Sequence, residues 1–166
     1  PVFSADLEVA KIYKKDKKVF LKLKNKLPKY ITRFPVDKNE ITNAILNNQN
    51  NLSKIIKIVH KEIRKKLNVF LKKNKNKKIV ILDIPLLIEN KLFNKKDILI
   101  FVDSKKKDID KRIKKRPNYN SKLLKIFKKI QLSPSYKKNK SHFTIKNTFT
   151  QKPVKNNIKK IINKIL

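Results

Sequence analysis

The chain has 166 residues, 39% of them hydrophobic, and a formal net charge of +34 from 46 Lys and Arg against 12 Asp and Glu. That is enough chain for one folded domain with a real core and a very polar surface. It has no cysteine, which excludes disulfides, thiolate catalysis and cysteine metal sites, and His60 and His142 alone argue against a histidine-built metal centre.

The charge invites a nucleic-acid reading, because polycations bind phosphate backbones by releasing counterions. Its distribution argues the other way. Only Arg33, Arg64, Arg112 and Arg116 are arginines, and the lysines are scattered along the whole chain. Lys, Asn and Ile are the residues that A+T-rich codons favour, so base composition explains much of the excess. A dedicated binder gathers its basic residues on one face and reads with Arg or aromatics. No apolar segment precedes a small-residue cleavage site, and the longest apolar run is broken by Asp83 and Pro85. A cytoplasmic soluble protein is the simplest expectation; nothing fixes its oligomeric state.

In chain order, Pro1-Val2-Phe3 reads as the end of a strand, followed by Ser4-Ala5-Asp6 and a helical pattern through Tyr13. Ser4 and Asp6 are both of capping type, while a carboxylate at Asp6 can also orient a hydroxyl and accept its proton. Residues 14 to 75 read as helices with short polar breaks. Val19, Leu21, Leu23 and Leu27 form an apolar set before Pro28, and Phe34-Pro35 marks a loop. Asp37 or Asn39 is positioned to cap a helix holding Ile41, Ala44, Ile45 and Leu46. Asn51 or Ser53 starts a longer helix with Ile55, Ile56, Ile58, Val59, Ile63, Leu67, Phe70 and Leu71 at helical spacing, most of them core. His60 and Arg64 are four apart and share a face of it. They offer two donors to a phosphate, or belong to a solvated basic face.

The chain is organised around Lys78 to Asn90, KIVILDIPLLIEN. Ile79, Val80, Ile81 and Leu82 form a continuous apolar run ending on Asp83, the pattern of a central parallel strand buried on both faces. A carboxylate at the carboxyl end of such a strand lies where open α/β sheets bind ligands; alternatively it caps the following turn. Leu86 to Lys96 reads as a polar connection. Ile98 to Val102 is a second buried strand, ending on Asp103, and Ser104 is a good N-cap for a helix from Lys105 to about Arg116. Arg112 and Arg116 fall on one side of that helix, and their planar forks can clamp phosphates bidentately. Pro117 to Asn120 breaks the pattern, Ser121 to Gln131 is helical, and Val154 to Leu166 is an amphipathic helix with Ile158, Ile161, Ile162 and Ile165 on one face. Lys72 to Lys78 and Lys137 to Lys140 read as lysine-rich loops.

Asp83-Ile84-Pro85-Leu86-Leu87-Ile88-Glu89-Asn90 resembles the D-[IV]-P-L-L-[FI]-E-N signature of dephospho-coenzyme A kinases. Other landmarks of that family follow in order. Ser4-Ala5-Asp6 resembles its [DN]-A-D, and Ile58 to Arg64 resembles I-x-H-P-x-[IV]-R with Lys61 for Pro. Arg112 and Arg116 match R-x-x-x-R. Lys129-Ile130-Gln131-Leu132 resembles the end of R-I-x-x-Q, with Phe127 where Arg is expected, and His142 to Asn147 resembles D-[YF]-x-I-x-N with His for Asp. The resemblance implies ATP-dependent phosphorylation of the ribose 3′-hydroxyl of dephospho-coenzyme A, with ATP and Mg²⁺. Asp6 would act on the acceptor hydroxyl; His60, Arg64, Asp83, Pro85, Leu86 and Glu89 would lie on the substrate side. Asp83 would also sit beside the waters of the metal. Arg112, Arg116, Gln131 and Asn147 would face ATP and its phosphates.

The fold implied is α/β, a P-loop-kinase-like parallel sheet flanked by helices, in a single domain over residues 1 to 166. It would carry a helical substrate region near 14 to 75 and a lid near 113 to 140. The chain has no glycine, against an average near 7%, and so no G-x-x-x-x-G-K-[ST] phosphate loop. With Pro1 opening directly on a strand, this gives the expectation of an amino-terminally truncated chain. The central first strand would be missing, two inner sheet edges would be unpaired, and these residues alone would be poorly stable and inactive. Two alternatives stay open: a basic polyanion- or nucleic-acid-binding protein without activity, and another nucleoside or nucleotide kinase of the same architecture.

Overall fold

The computed structural model describes residues 1–166, which separate into two compact units, Pro1–Leu86 and Leu87–Leu166. The first holds β1 (Val2–Ser4), α1 (Ala5–Lys15), α2 (Lys17–Lys26), α3 (Lys38–Asn47), α4 (Asn50–Lys73) and β2 (Ile81–Asp83). The second holds β3 (Ile100–Asp103), α5 (Lys106–Lys114), α6 (Ser121–Ile130), α7 (Pro134–Lys140), β4 (Phe143–Lys146) and α8 (Gln151–Ile165). The architecture is α/β with short parallel sheets flanked by helices, as the pattern of the chain indicates.

In the first unit β1 pairs with β2 in parallel, Val2 against Ile81, Phe3 against Leu82 and Ser4 against Asp83. The crossover between them holds four helices and no strand. α4 buries Leu52, Ile55, Val59, Ile63 and Leu67, a stripe repeating about once per turn, and α1, α2 and α3 pack on it. Ile12, Val19, Leu23 and Ile31 are the most completely buried of the large apolar side chains, each below 2% exposed. Leu21, grouped with this set by sequence, faces out. The helix starts follow the capping chemistry in part. Asp37 accepts the Asn39 N–H at 2.8 Å, and Asp16 accepts that of Val19 at 3.0 Å. α4 instead starts without a side-chain cap. Asn51, a candidate cap, is buried and donates its Nδ2 to the Ala44 carbonyl at 2.9 Å, tying α4 to the end of α3.

In the second unit β3 and β4 pair in parallel from Ile100–Phe143 to Asp103–Lys146, and α8 packs on β4 through Ile161. His142 Nδ1 accepts the Leu99 N–H at 2.9 Å, and Asn147 N–H donates to the Asp103 carbonyl at 2.7 Å, so both ends of this sheet are closed by hydrogen bonds.

The structure corrects the sequence expectations for the strands, the α5 cap and extent, and the lysine-rich loops. The run Ile79 to Leu82 is not a strand buried on both faces: β2 covers only Ile81–Asp83, and Ile81 is 54% exposed. Likewise Ile98, Ile100 and Val102 are exposed while Leu99 is buried. Each strand has a single ladder partner and alternates like a half-covered strand, so continuous apolar composition overstated its burial. Ser104 does not cap α5; Lys105 holds that position without a side-chain bond, and the helix ends at Lys114, leaving Arg116 beyond its end. Lys137 to Lys140 is no loop, because Pro134 at the first turn and the Ser133 hydroxyl on the Tyr136 N–H start a helix there. Lys72 and Lys73 likewise finish α4.

Candidate functional site

The first unit carries a carboxylate site at the carboxyl ends of its strands. The register that sets Ser4 beside Asp83 brings the last residues of β1 and β2 level, and Asp6 follows in the first turn of α1. Ser4 occupies the N-cap position without bonding through its side chain, so its hydroxyl is not spent on the helix. Asp6 and Asp83 are both exposed. Most acidic side chains here are held by lysines or by backbone N–H groups: Glu8 by Lys11 and Lys66, Glu62 by Lys22 and Lys65, Asp37 by Arg33. Neither Asp6 nor Asp83 enters such an ion pair. Two carboxylates left unneutralised in so basic a chain, at the end of a sheet where α/β folds bind ligands, are available for chemistry. Beyond Asp83, Ile84 is buried, Pro85 is exposed and Leu86 turns the chain at φ 54°.

His60 and Arg64 lie one turn apart on α4. His60 is half-buried and Arg64 exposed. Burial, and then the Arg64 guanidinium, hold the His60 imidazole below the usual histidine range. The pair therefore presents a neutral ring beside a fixed cation at neutral pH, one donor and one charge suited to an anionic group.

The second unit carries the other residues. Glu89 is nearly buried, and its Oε1 accepts both the Lys137 ammonium at 2.7 Å and the Leu132 N–H at 3.0 Å. Burial alone would raise its carboxyl; the Lys137 contact and the backbone donors outweigh that and hold it below the ordinary range. Within the second unit Glu89 thus ties its own segment to α7 and to Leu132 just before that helix. Arg112, in the last turn of α5, lies over the Phe149 ring with 4.4 Å between guanidinium carbon and ring centroid. Asn147 accepts the Phe149 N–H through Oδ1 at 2.9 Å. Arg116 and Gln131 are both exposed, Gln131 at the C-cap of α6. Phe127 is half-buried on that helix.

The structure therefore sets Asp83 level with Ser4, two residues before Asp6, puts His60 one turn from Arg64, and places Arg112 and Asn147 around Phe149. Arg116 lies beyond the end of α5 and Gln131 at the C-cap of α6, both exposed. Two residues that sequence reasoning passed over matter here, Lys137 and Phe149. Lys137 gave no signal in a lysine-saturated chain. Phe149 did give one, an aromatic two residues after Asn147 at the exit of a strand.

Residues 1–152 match the family model described as dephospho-CoA kinase. A dephospho-CoA kinase from Wolbachia sp. subsp. Brugia malayi is 27% identical over 166 residues, covering 99% of this chain and 85% of the relative. That from Bartonella quintana is 28% identical over 146 residues, covering 87% of this chain and 74% of the relative. Among solved structures, TT1252 from Thermus thermophilus superposes with a TM-score of 0.74 over the whole chain and 85% of its own, at 17% identity. The fold is shared.

Proposed function

The chain belongs to the dephospho-CoA kinase family, and from that premise we propose that it serves the ATP-dependent phosphorylation of the 3′-hydroxyl of dephospho-coenzyme A. The observation that carries this reading is the register of Ser4 with Asp83, which sets Asp83 level with the residue two before Asp6, the two carboxylates both exposed and neither in an ion pair with a lysine. Asp6 orients the acceptor hydroxyl and takes its proton as the oxygen attacks the terminal phosphoryl group of ATP. Transfer breaks the bond between the β–γ bridging oxygen and phosphorus, and the electron pair leaves with ADP. His60 and Arg64 hold anionic groups of the acceptor, with Pro85 and Leu86 along its path. Arg112, Arg116, Gln131 and Asn147 serve the nucleotide side.

Asp83 fits Mg²⁺ by its chemistry: an exposed carboxylate without a lysine partner suits a hard cation that keeps most of its waters and takes the rest of its ligands from phosphates. Mg²⁺ bound there would neutralise charge on the transferring group. No helix of the chain is long and apolar enough to cross a membrane; a place in the cytoplasm is part of the proposal.

Calorimetric titration of the chain with dephospho-coenzyme A, and with nucleoside monophosphates in parallel, tests the reading. Saturable binding of dephospho-coenzyme A that Asp6→Asn preserves and that competes with coenzyme A is the expected result. Preference for a nucleoside monophosphate would assign a different kinase. Binding to any polyanion alike, abolished by moderate salt, would assign a polyanion-binding protein.

A further inference from the structure

Phe149 is the one aromatic residue in the left-handed region, at φ 59°. Bulky side chains avoid that region, since the backbone conformation crowds their Cβ. Here the conformation is held from both sides. Asn147 Oδ1 takes the Phe149 N–H at 2.9 Å, and the Thr148 and Thr150 hydroxyls bond each other at 2.7 Å across it. Asn147 is itself fixed, because its N–H closes the β3–β4 ladder on the Asp103 carbonyl at 2.7 Å. The chain from β4 to α8 is thus locked in a form that turns the Phe149 ring onto Arg112.

The stack determines what Arg112 can do. A guanidinium lying on a ring uses its π face, and its five N–H donors stay in the free plane. Arg112 is exposed and meets no carboxylate within ion-pair distance. α5 carries Lys106, Lys107, Lys111 and Lys114 together with Asp108 and Asp110, and Asp108 stands one turn before Arg112 on the same face without forming an ion pair with it. Lysine ammoniums are point charges on flexible stems, whereas a ring-held fork has a fixed plane.

We propose that Phe149 is the positioning residue for Arg112, holding its guanidinium plane so that the free edge takes two oxygens of a polyphosphate chain. This rests on the reading of Arg112 as a phosphate-side residue. The ligand class is a nucleoside triphosphate or diphosphate, recognised through its phosphates.

The experiment is calorimetric titration of the chain at about 0.15 M salt, where distant surface charges are largely screened. Tripolyphosphate and ATP are the two probes. Phe149→Leu leaves every charge in place, Phe149→Tyr keeps the ring, and Arg112→Lys keeps the charge but loses the plane. Phe149→Leu and Arg112→Lys are each expected to weaken both probes by about fivefold, a typical size for a cation–π contact. The double variant should be no weaker than either single one, and Phe149→Tyr should match the parent chain. Unchanged binding by Phe149→Leu, or additive losses in the double variant, overturns the proposal. A loss confined to ATP also overturns it, because Phe149 would then touch the base. A parent chain without saturable tripolyphosphate binding overturns it at once. The kinase reading fails separately: a chain that binds tripolyphosphate as described but ignores dephospho-coenzyme A sinks that reading and leaves this one standing.

Discussion

One carboxylate oxygen, Glu89 Oε1, receives both the Lys137 ammonium at 2.7 Å and the Leu132 N–H at 3.0 Å. The two side chains are 10% and 23% exposed, so water screens this pair far less than the open lysine pairs elsewhere. Glu89→Gln keeps an acceptor for Leu132 but removes the charge, and should cost about 1 kcal/mol in urea unfolding. Glu89→Ala strands both donors and should cost about 2–3 kcal/mol. Amide exchange at Leu132 should accelerate in the alanine variant alone.

The same pair has a pH signature. Since the folded carboxyl lies below its ordinary value, its contribution is present above the usual glutamate pKa of about 4.3 and is lost as pH falls through the lower folded value. The parent chain should lose stability faster than Glu89→Ala across that acid window. Parallel slopes for the two proteins would show that Glu89 is not the group responsible.

His60 gives a second titration with the same sign and a higher window. Burial, and then Arg64, depress its pKa, so protonation is harder in the folded chain than in the unfolded one. Its contribution is intact above about pH 6.5 and declines as pH falls below that value. Arg64→Gln removes the smaller cause only. The imidazole should then titrate between the parent value and the ordinary one, followed by its ring proton shifts in NMR.

Apolar side chains should split sharply by place. Ile31 is 0% exposed, and Ile31→Ala should cost about 2–5 kcal/mol. Ile81 sits in a strand at 54% exposure, so Ile81→Thr should change stability by less than about 0.5 kcal/mol. The threonine variant should also aggregate less, since an exposed apolar strand is a template for pairing with another chain.

Asn51→Ala removes the donor that meets the Ala44 carbonyl inside the α3–α4 junction. The loss should be about 0.5–1.5 kcal/mol, because the carbonyl keeps the Asn48 N–H at 3.2 Å and loses only its second donor. Thermal unfolding beside Asn47→Ala, whose bond to the Asn43 carbonyl is exposed, separates a buried contact from a surface one.

The helical body was legible because its residues obey a period. Ile55, Val59, Ile63 and Leu67 recur turn by turn, and Asp37 caps where a short acidic residue precedes an apolar stripe. Strand burial was not legible, because Ile79 to Leu82 reads as interior by composition while exposure depends on what lies alongside the strand. The carboxylate site was half-written in the chain. DIPLLIEN marks Asp83, but only strand register shows Asp83 beside Ser4. The clamp of Glu89 and the stack on Phe149 were hidden for a different reason. Each joins residues distant in sequence through a side chain of a type this chain uses everywhere or at random.

β1 is only three residues long, so its ladder to β2 is a weak guide to alignment. What resists a slip is Phe3, 4% exposed and tilted against Phe70 of α4 at 5.4 Å between ring centroids. A shift by one residue would drive Val2 or Ser4 inward and turn the phenyl ring to water. The address of Asp6 and Asp83 is therefore written by an aromatic latch that touches neither. Variation at Phe70 can move the two carboxylates past each other without altering a single polar atom among them.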